Sequence, residues 1–268
     1  MGITATTSVW TDQNVNWEAF DLVVANGAWD NIHRPDEFLS RADGVAARTP
    51  VVNSPATLRW NMDKRYLAAL DAAGVPTVPT LWLHPTDPPS SDLPAGEIVV
   101  KPAISGGGFE TARYEAQEGE VARSHIDRLL DAGRTVMVQP YQESVDAQGE
   151  VGLVFLGSRF SHAIGKGPVL RPGAAAAPDL LDNLVISRAS PTGAQLQAAH
   201  HALSVAEDLH GPTTYARVDL VTLADGTPAV LELELLDPAL FFEIEPAGAH
   251  RFALVLQEVL EERLQSAD

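Results

Sequence analysis

The chain has 268 residues, a net charge of −18, 45 % hydrophobic side chains and no cysteine. That length is enough for two or three subdomains around a large core. The charge argues against nucleic acid and anionic membrane as partners. The absence of cysteine removes disulfides, thiolate catalysis and Cys-ligated zinc. No apolar run reaches the roughly 18 residues of a membrane span. The start "MGITATTSVW" has no basic region followed by an apolar core, so a cytoplasmic protein is expected. The same start fits the loose Met-Gly-x-x-x-Thr acylation pattern.

In chain order, the first strand pattern is 20–25. A helix follows, with Ser54 as N-cap, Pro55 at the first helical position, a stripe of Leu58, Met62, Leu67 and Leu70, and Gly74 and Pro76 as the stop. Lys64 is expected on this helix. Strand 77–83 leads into the turn-rich connector "PTDPPSSDLPAG". Strand 97–101 ends in Lys101 and opens into Gly106, Gly107 and Gly108. A helix near 116–132 precedes strand 135–140 and the extended "VMVQPYQESV". Strands 150–156 and 159–165 read as a hairpin turning at Gly157-Ser158, with Lys166 at its end and a surface loop at 171–179. A helix over 191–210, closed by Gly211, precedes a second hairpin, 215–223 with 228–235, turning at Asp225-Gly226; the last helix is 246–265. Antiparallel pairs mixed with strand–helix alternation define a mixed α/β (α+β) protein.

The second hairpin interrupts the apolar run "AVLELELLDPALFF" with Glu232, Glu234 and Asp237, and buried unpaired carboxylates are costly. A two-residue turn at Asp225-Gly226 pairs Asp219 with Glu232 and Arg217 with Glu234 and puts all four on one face. The same count sends Val218, Leu220, Leu231, Leu233 and Leu235 to the other face. Opposed acids repel unless something neutralises them. An all-oxygen donor set suits a hard cation, Mg²⁺ or Mn²⁺. A solvated polar face with an Arg–Glu pair is the plain alternative.

The upstream motifs are individually weak. Consecutive glycines after a strand free N–H groups for phosphate oxygens, but neither the P-loop nor the dinucleotide spacing is present. The eight histidines show no ligand spacing, and Ser105 lacks a hydrolase triad signature.

Taken in order, "DK" (Lys64), "VVKP" (Lys101), "SGGG" (Ser105 to Gly108), "VQPY", "RVD" and "LELE" resemble the ATP-grasp superfamily over roughly 53–245. Within it the chain resembles carboxylate–amine ligases of the glutathione synthetase and ribosomal-protein glutamate ligase kind. "GEVGLVFLGSRFSHAIGKGP" and "LELELLDPALFF" look like the D-cycloserine synthetase family. The resemblance implies an ATP-grasp fold, two α+β subdomains clamping ATP behind a shortened parallel α/β N-terminal domain. The expected division is 1–53 for that domain, 54–76 for a linking helix, 77–138 for the lid subdomain and 139–268 for the large subdomain. By position, Lys64 and Lys101 would contact the ATP phosphates, with Ser105, Gly106, Gly107 and Gly108 as a lid over them. Gln139, Pro140 and Tyr141 would line the adenine pocket, Glu150 would take the ribose hydroxyls and Lys166 would sit near the phosphates. Asp219, Glu232 and Glu234 would hold one or two Mg²⁺, and Arg217 would steady the transferred phosphoryl group.

The chain departs from the family's pattern in three places. Glu234 stands where many members have Asn, and Asn26-Gly27-Ala28 where relatives have Arg-Ser-Thr. The chain also starts about 25 residues late, which would expose the edge of a parallel sheet. The implied activity is ATP-dependent ligation through an acyl phosphate, with ring closure onto the substrate's own amine as one version. The alternatives are a catalytically silent ATP-binding subunit and a divalent-cation binding protein. The expected partner is a small amino-acid-like molecule, with a homodimer left open; substrate contacts are sought in 26–33 and 171–182.

Overall fold

The computed structural model describes residues 2–87, 92–170 and 184–267; the segment 171–182 lies outside them. The N-terminal part holds β1 (Val23–Val24), α1 (Pro35–Ala46), β2 (Val51–Val52), α2 (Pro55–Met62) and α3 (Tyr66–Ala72). β1 and β2 pair in parallel, Val23 with Val51. Ser54 caps α2 as its sequence predicts, its hydroxyl accepting from Thr57 N at 3.1 Å. The single helix expected over 55–73 is two. Asp63 leaves the helical region (φ −108°, ψ 116°), and Lys64 N turns aside to donate to Ala103 O at 3.0 Å. Lys64 therefore sits in a break between helices, held by the end of the strand that carries Lys101.

The middle of the chain forms β3 (Leu81–Leu83), β4 (Ile98–Pro102), β5 (Ala112–Tyr114), α4 (Gly119–Asp131) and β6 (Val136–Pro140), a sheet in the order β3-β6-β4-β5. Val100, Val136 and Val138 pack against Ile126 and Leu129 of α4 to give this unit its own core. The last part comprises α5 (Ser144–Gln148), β7 (Glu150–Leu156), β8 (Arg159–Lys166), β9 (Ile186–Ala189), α6 (Gly193–His210), β10 (Tyr215–Thr222), β11 (Pro228–Glu234) and α7 (Pro246–Ala267). Its sheet runs β11-β10-β7-β8-β9. One face packs on α6, whose Ala198, Ala199, Ala202 and Ala206 are small enough to bring helix and sheet close. Gly157 and Ser158 both take positive φ, 57° and 61°, as a two-residue primed turn requires, so the first hairpin forms where its sequence places it.

The second hairpin reaches the predicted acid pairing by another route. Gly226 N donates to Leu223 O and Leu223 N to Thr227 O, each at 2.9 Å, so the loop is three residues, 224–226, and Thr222 faces Pro228. The pairing is thus displaced by one until a bulge between Asp219 and Leu220 absorbs an extra residue in β11. Beyond it Asp219 faces Glu232 and Arg217 faces Glu234. The bulge overturns the expected place of Leu231. Leu220 faces Val230, which joins the α6-side core, while Leu231 packs with Val78, Val145 and Val221 on the other face.

β11 ends its sheet; the outward groups of Val230 pair with backbone of Pro76 and Val78, and those farther along are satisfied by side chains. Asn61 Nδ2 donates to Leu233 O (2.8 Å), and Asn61 Oδ1 accepts from Leu235 N (2.7 Å) and Leu236 N (3.0 Å). Leu233 N donates to the Tyr66 hydroxyl at 3.0 Å. Farther along, buried Asn53 donates to Tyr215 O (2.9 Å) and Leu235 O (2.6 Å) and accepts from Thr214 N (2.7 Å), tying β2 to the large sheet.

Candidate active site

A cleft of about 600 Å³ lies between the two sheets and is closed on one side by the N-terminal segment. β10 explains its chemistry. Alternation sends Ala216, Val218 and Leu220 to the core under α6 and turns Arg217, Asp219 and Val221 to the opposite face, where Arg217 and Val221 line the cleft. Glu232 and Glu234 join them from β11, Glu150 from β7 and Lys166 from β8. Lys101 enters from β4 and Lys64 from the α2–α3 break.

Glycine at position 152 makes room for the most buried of these acids. Gly152 faces Asp219 across the β7–β10 ladder, and a Cβ there would lie 2.8 Å from Asp219 Oδ1. Asp219 is 0 % exposed. It accepts from Arg217 Nε (2.9 Å) and Nη2 (3.1 Å) and from Lys166 Nζ (2.8 Å). Burial works to raise its pKa, but Arg217 and Lys166 outweigh it and hold the carboxyl down at about 2. Lys166 also pairs with Glu150 at 2.6 Å; burial opposes its charge, and Asp219 and Glu150 raise its pKa regardless. Glu232 meets Lys64 Nζ at 3.1 Å, and Lys64 also donates to Ser105 O. Burial works to raise Glu232's pKa, but Lys64 and Lys101 bring it below the ordinary value. Glu234 accepts from Arg217, yet burial, reinforced by Glu232 and Asp219, pushes it up to about 7. Burial pulls Lys101 down to about 8, with Lys64 adding to the effect and Glu232 opposing it.

Asp219, Glu232 and Glu234 can each offer a carboxylate oxygen within 4.8 Å of the others. That spacing and the purely oxygen donor set fit a hard divalent ion. Lys64, Lys166 and Arg217 touch these oxygens and offset their charge.

The glycine loop lies beside these groups. Gly107 and Gly108 take φ of 59° and 76°, which side chains disfavour, and Gly106 lies against Ile32, whose Cγ2 is 3.4 Å from where a Cβ would be. At the loop's end Phe109 meets His33 edge-on at 4.8 Å between centroids. Gln139 donates to Thr80 Oγ1 at 2.9 Å. Pairing of β3 with β6 stops at Val138, so Gln139 and Pro140 have no β3 partner there. Tyr141 lies under the Arg113 guanidinium (3.4 Å to the ring centre), and its hydroxyl donates to Asp146 at 2.7 Å. The residues expected to bind ATP and metal therefore gather in or around one cleft.

Trp29 and Asn31, within the 26–33 segment where substrate contacts are expected, line the same cleft, as do Asp237 and Phe241, to which sequence reasoning gave no role. Asp237 alone left a signal, as an acid inside an apolar run. It accepts from Gly27 N and, at 3.4 Å, from Asn31 Nδ2, and burial pushes its pKa up to about 7.

Fold and site together define an ATP-grasp ligase. The D-alanine–D-alanine ligase of Bacillus anthracis, solved with ATP, matches at a TM-score of 0.61 and 15 % identity, over 93 % of this chain and 81 % of that one. The ATP-grasp ligase PsnB with its minimal precursor matches at 0.57 and 20 %, over 88 % and 79 %. Nearer relatives fix the family. The family model for the N-terminal domain of D-cycloserine synthetase DcsG matches residues 1–53. The cycloserine biosynthesis protein DcsG of Streptomyces lavendulae is 39 % identical over 97 % of this chain and 90 % of its own length. The crystal structure of D-cycloserine synthetase DcsG matches at a TM-score of 0.88 and 37 % identity, over 97 % and 90 %. The chain belongs to the D-cycloserine synthetase family of ATP-grasp ligases, enzymes that form C–N bonds at the expense of ATP.

Proposed function

We propose that the cleft binds Mg-ATP and a linear amino acid and closes the latter into a ring. Lys64 and Lys101 take the phosphates, Ser105 to Gly108 cover them, Gln139, Pro140 and Tyr141 receive the adenine, and Glu150 the ribose. Lys166 sits near the phosphates and Arg217 steadies the group in transfer. Asp219, Glu232 and Glu234 would hold the one or two Mg²⁺, which would supply positive charge against the phosphates. In domain terms, 1–53 is the N-terminal unit, 54–76 the link, 77–138 the lid and 139–268 the large subdomain. The observation that carries this reading is the convergence of three carboxylates within 4.8 Å, paired with Lys64 and Lys166 from elsewhere in the chain.

The substrate class follows from the relatives' name. D-Cycloserine is a ring whose closing bond joins an acyl carbon to a nitrogen on oxygen. Its ring-opened form carries a carboxylate, an α-amine and a terminal aminooxy nitrogen. The carboxylate oxygen attacks the γ-phosphorus and ADP leaves, giving an acyl phosphate. The terminal nitrogen then attacks the acyl carbon, phosphate leaves, and the nitrogen's proton passes to solvent. The protein's part is to orient these groups and stabilise the charge that develops on the transferring phosphoryl and acyl oxygens. Such a reaction draws on the Mg-ATP pool, and we place the enzyme in the cytoplasm.

The test is ADP formation from Mg-ATP with a panel of amino acids, read by mass spectrometry, in wild type and Glu232→Gln. The expected result is ADP with an aminooxy amino acid and a loss of at least about 10²-fold in the variant, whose fold survives. Wild-type activity in the folded variant contradicts the assignment.

A further inference from the structure

Each acid around the nucleotide end of the cleft is already partnered by a basic side chain: Glu150 and Asp219 by Lys166, Glu232 by Lys64, and Glu234 by Arg217. Asp237 is different. It lies beyond β11 in the loop that Arg217 ties down by donating to Ala239 O at 2.8 Å. Its oxygens accept from Gly27 N and Asn31 Nδ2, and no basic side chain pairs with it among the described residues. The charged neighbour that acts on it is another acid, Asp30. The carboxylate is half-buried and lines the cleft. A charged group so placed lacks a counter-ion that a ligand can bring.

The surroundings narrow the ligand. A divalent metal requires several oxygen donors, and Asp237 supplies one carboxylate beside an amide nitrogen. A primary ammonium needs an acceptor with charge and is further favoured by an aromatic face. Trp29, on the same helical turn as Asn31, lines the cleft and is 68 % exposed. Resting on the ligase reading above, we propose that Asp237 receives the free α-ammonium group of the amino-acid substrate and makes the enzyme select substrates that carry one. The loop 26–28 and Asn31 orient the carboxylate, and the ammonium replaces solvent on its open side.

ADP release is measured with β-aminooxy-D-alanine, the ring-opened form of D-cycloserine, and with 3-(aminooxy)propanoic acid, which lacks only the α-amine. Both are run with wild type, Asp237→Asn and Asp237→Ser. Thermal unfolding and Mg-ATP binding report that each variant keeps its fold and nucleotide site; Asn retains an acceptor for Gly27 N–H. Wild type is expected to favour the amine-bearing compound by tenfold or more in kcat/KM, mostly through KM. Asp237→Asn is expected to treat the two alike. A wild type without this preference, or a folded variant that keeps it, overturns the proposal, and the wild-type comparison stands even if neither variant folds. If neither compound yields ADP with wild type, the ring-closing reading itself fails and takes the ammonium assignment with it.

Discussion

Lys101 is a buried cleft cation with no ion pair among the described residues, and burial pulls it down to about 8. In the proposed site a triphosphate would lie beside it and favour the charged form, so the pKa would rise on binding. The sign follows from that difference. Nucleotide affinity is full below about pH 8, where Lys101 is charged in both states. Above that it falls by up to about tenfold per pH unit until the bound-state pKa is reached, with uptake of a proton on binding. Calorimetry in buffers of different ionisation enthalpy checks this, and Lys101→Arg should remove the uptake because arginine stays charged. Gly152 carries a second residue-scale prediction. The Cβ of Gly152→Ala would stand 2.8 Å from Asp219 Oδ1 and 2.9 Å from Ile164 Cδ1, so the carboxylate must move off its Arg217 and Lys166 partners. Turnover should fall by about 10²-fold, since displacements near 1 Å cost that much; a fully active variant would show that Asp219's position is not critical.

At the scale of elements, the outer edge of β11 is the feature that aims the acids. Asn61 and Tyr66 occupy the groups of Leu233, Leu235 and Leu236, which locks the strand with Glu232 and Glu234 turned inward. Asn61→Ala leaves two N–H groups and a carbonyl without partners in a buried place. It should cost about 3 kcal/mol, read as a lower midpoint in urea unfolding. The same strand shows how much was legible beforehand. The acid pairing counted from "LADGT" is the one found, but only because two departures from the count cancel. The loop is one residue longer than that count assumed, and the bulge that restores the register left no mark other than an ordinary Leu231. The motif lysines were legible as types in order. The break at Asp63 was not, because the helical pattern continues through it and the deciding bond, Lys64 N to Ala103 O, is tertiary. β5 and β9 escaped for the same reason, being short strands that exist through their neighbours. α1 was legible in principle, with Pro35 at its first turn followed by Asp36 and Glu37.

Across the whole molecule, two sheets with separate cores face one cleft, and the N-terminal segment reaches both its ends. Phe109 of the glycine loop rests on His33, while Gly27 and Asn31 hold Asp237, so the unit that meets the glycine loop also shapes the far end of the cleft. Arg113 of β5 bridges to Asp146 of α5 at 3.1 Å, joining the small sheet to the last part of the chain beside Tyr141. This architecture makes sense of buried acids inside an apolar strand: their partners Lys64, Lys166 and Arg217 come from different parts of the chain. The decisive measurement is a titration of Mn²⁺, followed by electron paramagnetic resonance, into wild type and Glu232→Gln saturated with a non-hydrolysable ATP analogue. Wild type should hold the ion at least about tenfold more tightly than the variant. Equal affinity in the two folded proteins would mean that the carboxylates on β10 and β11 do not carry the metal.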